Sequence, residues 1–271
     1  GAPSSNATWF SNRTTCAIPL TTGSQSGCFL MAISHVQLEV LAQLKDLLPA
    51  VPKMLSLGYP DILATAEQID TTCGKDFANS LIRRDDSDEI IAWHGLTGKL
   101  DFIADSLNFF SALNIDCHTI DITASRGNER IIDLNEPLPQ DLLASFDLVF
   151  DPGTLEHCFN IGQASINAAA CLKVNGFICH FSPLSMFNHG FFNLNPTFFF
   201  NFYHQNGFKI VLMKGCAGPI LEQKYFDLPD TERFEGVPND ASVVAVAQRL
   251  SDQEITFPTQ TKYLENPDLK S

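Results

Sequence analysis

The chain has no run approaching the roughly 20 consecutive apolar residues that span a bilayer. Its opening, GAPSSNATWFSNRTT, has no charged segment leading into an apolar one. The expectation is a soluble, cytoplasmic protein with no membrane partner. Basic residues are scarce: 17 Lys and Arg against 31 Asp and Glu leave a net charge of −14. That balance sets a nucleic-acid backbone aside as the main partner. The eight cysteines (16, 28, 73, 117, 158, 171, 179 and 216) form no CxxC pair, which argues against a zinc framework and for buried reduced thiols. Cys16 and Cys28, flanking a Gly/Ser/Thr loop, are the one pair worth testing as a disulfide. Asn6 and Asn12 match the glycosylation pattern but carry no weight without a signal peptide. Internal repeats and low-complexity tracts are absent, and nothing sets an oligomeric state.

What is present is an ordinary globular balance over 271 residues, 45% hydrophobic and 18% charged, enough for one large α/β domain. Residues 1–50 read as an irregular arm followed by a helix over 34–48, ended by Pro49. Residues 51–250 read as the main domain, with an insertion at about 62–100, and 251–271 as a polar tail. Strands are expected at 54–57, 115–122, 129–134, 146–151 and 176–181, then at 208–214 and 242–248. Helices are expected near 62–69, 77–84, 98–113, 154–173 and 198–205. Strands alternating with helices predict a doubly wound, mostly parallel α/β sheet.

The most legible stretch is FDLVFDPGTLEHCFN, 146–160. Leu148, Val149 and Phe150 suit a buried parallel strand, and Pro152-Gly153 ends it abruptly. Asp151, Glu156 and His157 then fall beyond a strand's carboxyl end, where open α/β sheets bind ligands. A bland reading competes, in which Glu156 and His157 merely begin a helix; their place after the fourth strand favours the functional one.

With these segments in place, the chain resembles the class I S-adenosylmethionine (SAM)-dependent methyltransferases over roughly residues 51–248. The resemblance is carried by LSLGYPD, HTIDI, IIDLNEPLP, FDLVFDPGTLEH and VNGFICHFSP. NHGFFNLNPTFFFNFYHQNGF is similar to a pattern in bacterial methyltransferases of polysaccharide and natural-product pathways. The resemblance implies a Rossmann-like sheet, mostly parallel with an antiparallel final strand, and SAM as cofactor. It implies that Gly58 passes beside the methionine moiety, that Asp121 with Ile122 takes the ribose, that Asp133 with Leu134 meets the adenine, and that Asp151 stands beside the sulfonium. Two departures are visible. Ser56 stands where the family carries an acid, with Tyr59 and Pro60 after the glycine, and 63 residues separate Gly58 from Asp121, against about 20 in a simple βαβ unit. No GxGxxG follows Leu57, which disfavours a dinucleotide oxidoreductase.

Methyl transfer requires an aligned acceptor and, for a hydroxyl, loss of a proton. Glu156, His157 and His189 are the candidate catalytic residues. Asp151, Glu156, His157, His180 and His189 include types that ligate a divalent metal, but Gly153 replaces the carboxylate expected three residues before Glu156, so no metal is favoured. His180, inside a strand, reads as a satisfied interior histidine, and the Phe-rich stretch as core. Arg83, Arg84 and His94 read as a solvated face. The expected function is methyl transfer to a hydroxyl, in preference to an amine, of a sugar or small metabolite. The alternative is a non-catalytic methyltransferase-like binding module with an altered cofactor pocket.

Overall fold

The structure is a computed structural model that describes residues 32–124 and 126–266; Asn6, Asn12, Cys16 and Cys28 lie outside the described residues. In chain order the elements are β1 (Ala32–Ser34), α1 (His35–Lys45), β2 (Lys53–Leu57), β3 (Asp61–Leu63), α2 (Ala66–Cys73), α3 (Lys75–Ser80), α4 (Ser87–Trp93), α5 (Ser106–Ala112), β4 (Asp116–Asp121) and β5 (Arg130–Ile131). They continue with β6 (Phe146–Asp151), α6 (Ile161–Ala170), β7 (Leu172–Pro183), α7 (Pro196–Gln205), β8 (Phe208–Ala217), β9 (Lys224–Asp227), β10 (Ser242–Arg249) and α8 (Thr261–Glu265). No helix among the described residues is long and apolar enough to cross a membrane.

Eight strands form the main sheet in the order β5-β4-β2-β6-β7-β10-β8-β9. The first five are parallel, β10 runs antiparallel to both β7 and β8, and β9 closes the edge antiparallel to β8. This is the expected doubly wound, Rossmann-like sheet, mostly parallel, with β9 and β10 reversed. The central strands are predominantly apolar because both faces are covered. Alternate residues go to opposite layers: Leu55, Val149, Ile178 and Ala245 join α6 and α7 in one core, while Met54, Leu148, Cys179 and Val244 join α1 and α5 in the other.

The insertion is a small layer of its own. β3 pairs in parallel with β1, and Leu63, Ile90, Ile91, Leu96, Leu100 and Ile103 pack with Ala32 and Ile220. That packing corrects the helix expected over 98–113. Leu100 and Ile103 have helical spacing but serve this third core from a turn and the irregular segment after it, and the helix begins only at Ser106, where Asp105 accepts a hydrogen bond from the Asn108 amide at 2.7 Å. The helix expected from 154 is likewise split into a single 3₁₀ turn at Leu155–His157 and α6, which starts after Asn160. The strand expected at 129–134 keeps only two residues. β9 and α8, in segments read as polar insert and tail, were not anticipated.

Candidate functional site

The order of strands reverses at β2, which has β4 on one side and β6 on the other. A crevice at such a switch point is where this architecture binds ligands. Gly58 follows β2 with φ +89°, a backbone conformation that a side chain would strain. Its amide donates to the Ile120 carbonyl at 2.7 Å, and its own carbonyl accepts from Ser56 Oγ at 2.7 Å. Ser56, fully buried, thus spends its hydroxyl on shaping the turn.

Asp121 ends β4, the neighbour of β2, and the Thr123 amide donates to its Oδ1 at 3.1 Å. Ile122 beside it is 64% exposed. Asp133 lies just past β5 and closes its own turn, its Oδ1 accepting from Asn135 N at 2.9 Å and Nδ2 at 2.7 Å; Leu134 is buried. Gly58, Asp121 and Asp133 therefore follow three adjacent parallel strands at one edge of the sheet.

Asp151 is placed differently from the expectation that its carboxylate stands beside a ligand. It is fully buried, and its Oδ1 accepts from the Thr154 amide at 2.8 Å while Oδ2 meets His180 Nδ1 at 2.7 Å. His180 Nε2 lies 2.5 Å from the Tyr203 hydroxyl. Burial pushes the Tyr203 phenol well above its ordinary range, so it stays a donor, and the three side chains form an interior relay joining β6, β7 and α7. His180 is the satisfied interior histidine expected of it.

Glu156 and His157 sit on the 3₁₀ turn after β6, and His189 on the loop between β7 and α7. Backbone contacts hold the two segments together: the Phe191 amide donates to the Glu156 carbonyl at 2.9 Å. A Cβ on Gly190 would lie 2.8 Å from that carbonyl oxygen and 3.0 Å from Glu156 Cγ, so only glycine permits the approach. Glu156 Oε1 is 3.6 Å from His189 Nε2, and the His157 and His189 rings are 5.2 Å apart. Glu156 Oε2 and His157 Nε2 are buried with no hydrogen-bond partner. Burial raises the Glu156 carboxyl to about 7, against the pull of His189, and burial lowers His157.

Glu156 and His189 line a cavity of about 510 Å³, together with Pro152, Gly153, Gln37, Gln223, Met186 and Phe187. Phe187 is 85% exposed, and Phe191, expected in the core, is exposed and packs edge-on against Phe159. The segment 152–157 is therefore shared. Pro152, Gly153 and Glu156 face the cavity, while Thr154 Oγ1 donates to the Leu57 carbonyl, one residue before the Gly58 turn.

The charged cluster of the insertion is also corrected. Arg83 is half-exposed and paired with Asp88, but Arg84 and His94 are buried around Asp61, at 2.9 and 3.2 Å. Arg126, from the loop after β4, reaches Asp61 at 3.3 Å and Asp86 at 3.4 Å. Arg84, His94 and Asp61 are nearly out of water while Asp86 and Arg126 at the edge stay partly exposed, so the cluster is an anchor between insertion and loop rather than a solvated face.

No protein-family model matches the chain, and no curated protein does. Among solved structures the fold is similar to a 1,6-didemethyltoxoflavin-N1-methyltransferase from Burkholderia thailandensis, bound to 1,6-didemethyltoxoflavin and S-adenosylhomocysteine (12% identity, TM-score 0.42, covering 80% of this chain and 78% of that one). It is also similar to the CMeT domain of the citrinin polyketide synthase (11%, 0.40, 80% and 52%) and to a branched-chain polyamine synthase mutein from Thermus thermophilus (14%, 0.39, 88% and 62%). At these values the likeness extends to the path of the chain and not to its side-chain chemistry.

Two features escaped the sequence reading. Gln37 and Gln223 come from α1 and the β8–β9 region, far from any recognisable motif. The joining of His189 to Glu156 depends on a loop path, and its one sequence signal was Gly190, whose missing Cβ admits the contact.

Proposed function

We propose that this protein is a SAM-dependent methyltransferase that acts on a hydroxyl of a sugar or other small metabolite. The observation that carries the reading is the shared segment 152–157, which touches the switch-point turn on one side and walls the cavity on the other. A donor held at the turn and an acceptor held in the cavity would meet across it.

The residues at the open edge fit an adenosyl group. Asp121 offers a part-exposed carboxylate suited to a ribose diol, and Ile122 exposes an apolar side chain that a purine ring would cover. Gly58 lets the backbone approach without a Cβ in the way. Asp133, tied to Asn135, contributes mainly loop shape, and Asp151 supports the turn from within. The cofactor supplies an electrophilic methyl on a sulfonium. The chain aligns the acceptor oxygen, excludes water, and uses Glu156, His157 and His189 to draw off the hydroxyl proton.

The test is transfer of labelled methyl from SAM to a panel of sugars and hydroxylated metabolites. The reading predicts acceptor-dependent incorporation that falls at least 100-fold in Glu156→Gln. SAM binding with no incorporation into any hydroxyl acceptor would favour a binding module instead.

A further inference from the structure

We propose that Glu156, His157 and His189 form a binding site for one divalent transition-metal cation, opening onto the 510 Å³ cavity. One ligand atom from each residue lies within 4.8 Å of the others. The separation of Glu156 Oε1 from His189 Nε2, 3.6 Å, is too long for a good hydrogen bond. It is close to the roughly 3.0–3.5 Å that separates adjacent ligands whose metal bonds are about 2.1 Å.

The second observation is unmet bonding capacity. Glu156 Oε2 and His157 Nε2 are both buried without a partner, although buried polar groups are nearly always satisfied. Glu156 is 1% exposed and sits in the cavity wall. A cation coordinated by a carboxylate and two neutral imidazoles would satisfy both atoms together.

The site is held by backbone as well as by side chains. The Phe191 amide bond to the Glu156 carbonyl, and the close pass of Gly190, fix the two ligand-bearing segments against each other, which is how a rigid ligand set is made. Gly153 has φ +110°, and a Cβ there would come 3.1 Å from Glu156 Oε1; the carboxylate has room because no side chain is present.

The donor set selects the ion class. Two nitrogens and one oxygen suit zinc, manganese, iron or cobalt and do not suit calcium or magnesium, which prefer all-oxygen shells. Three protein ligands leave open positions, and because Glu156 and His189 line the cavity, an acceptor hydroxyl oxygen held there could take one of them. A hydroxyl bound there loses its proton more readily, and with the cation in place the three side chains act through it as ligands instead of accepting the proton themselves. This last point rests on the proposed function; the cation site itself does not.

Full-length protein stripped with EDTA and dialysed is titrated calorimetrically with ZnCl2 and, separately, with CoCl2, following cobalt absorption in the visible range. The proposal predicts one equivalent bound, a ligand-field spectrum, and at least tenfold weaker binding in both His189→Ala and Glu156→Gln. His118→Asn, an exposed histidine paired with Asp116, leaves binding unchanged. Circular dichroism checks that each variant is folded, and His189→Ala, on a loop, is the arm that stands if Glu156→Gln is not. No binding of either ion below 1 mM, or undiminished binding in His189→Ala, overturns the site. Methyl transfer persisting in EDTA without metal binding would overturn the cation while leaving the methyltransferase reading intact.

Discussion

Glu156 is a carboxyl that the fold holds out of water, and its protonation state is coupled to stability. Its ordinary value is near 4.5 and burial raises it to about 7. A raised acid contributes stability that is fully present below about pH 4.5 and is lost as the pH climbs through 7. The shift corresponds to roughly 3 kcal/mol. His189, His157, Asp151 and Cys158 surround it, and His157 gives a slope of opposite sign, because its lowered value costs stability on the acid side. Comparing wild type with Glu156→Gln isolates the glutamate. In urea denaturation with EDTA, wild type should lose stability relative to the variant between pH 5 and pH 8, and parallel curves would refute the buried-acid account. Gly190→Ala makes the steric claim testable at the same scale. The new methyl meets the Glu156 carbonyl oxygen at 2.8 Å, so a cost of about 1–3 kcal/mol is expected in the same denaturation assay.

Among the elements, α7 is secured by the segment that follows β10. Asn206, fully buried just after α7, donates from Nδ2 to the Phe202 and Thr256 carbonyls at 2.8 and 3.0 Å and accepts from the Thr256 amide at 2.8 Å. Asn206→Ala leaves buried partners unmet and should cost about 2–3 kcal/mol, read as a Tm lower by several degrees. At this scale the sequence was read well where burial is two-sided: Leu148, Val149 and Phe150 form a continuous apolar run because both sheet faces are covered, and the run locates β6 directly. The sequence is ambiguous where one pattern serves two purposes. Leu100 and Ile103 keep a helical spacing while packing the insertion from a turn and an irregular segment, and Asp105 is the cap that marks the true start of α5. The candidate site was half legible. Glu156-His157 follow a strand end, a rule of the architecture, whereas Asp151 turns inward to His180, a choice made by the side chain after the backbone is set. His189 is 33 residues from Glu156 in sequence, and only the loop that carries it brings the two together.

At the scale of the whole molecule, the insertion is tied to the sheet edge. Arg84 is held in a nearly dry cluster with Asp61, and Arg126 extends that cluster to the loop that follows Asp121. Asp61→Asn removes the buried carboxylate shared by Arg84, His94 and Arg126 and leaves Arg84 paired only with the half-exposed Asp86 at 2.7 Å, so it should destabilise by about 3 kcal/mol, measurable by thermal unfolding; a change below about 1 kcal/mol would mean that the cluster anchors nothing. The central claim, that the switch point of this sheet holds a methyl donor, is tested most directly by calorimetric titration of the full chain with SAM and S-adenosylhomocysteine, with Asp121→Ala alongside. The account predicts one site for each ligand, weakened at least tenfold in Asp121→Ala while its circular dichroism is unchanged. Absence of binding for both ligands at 1 mM, or equal binding in the variant, would contradict it.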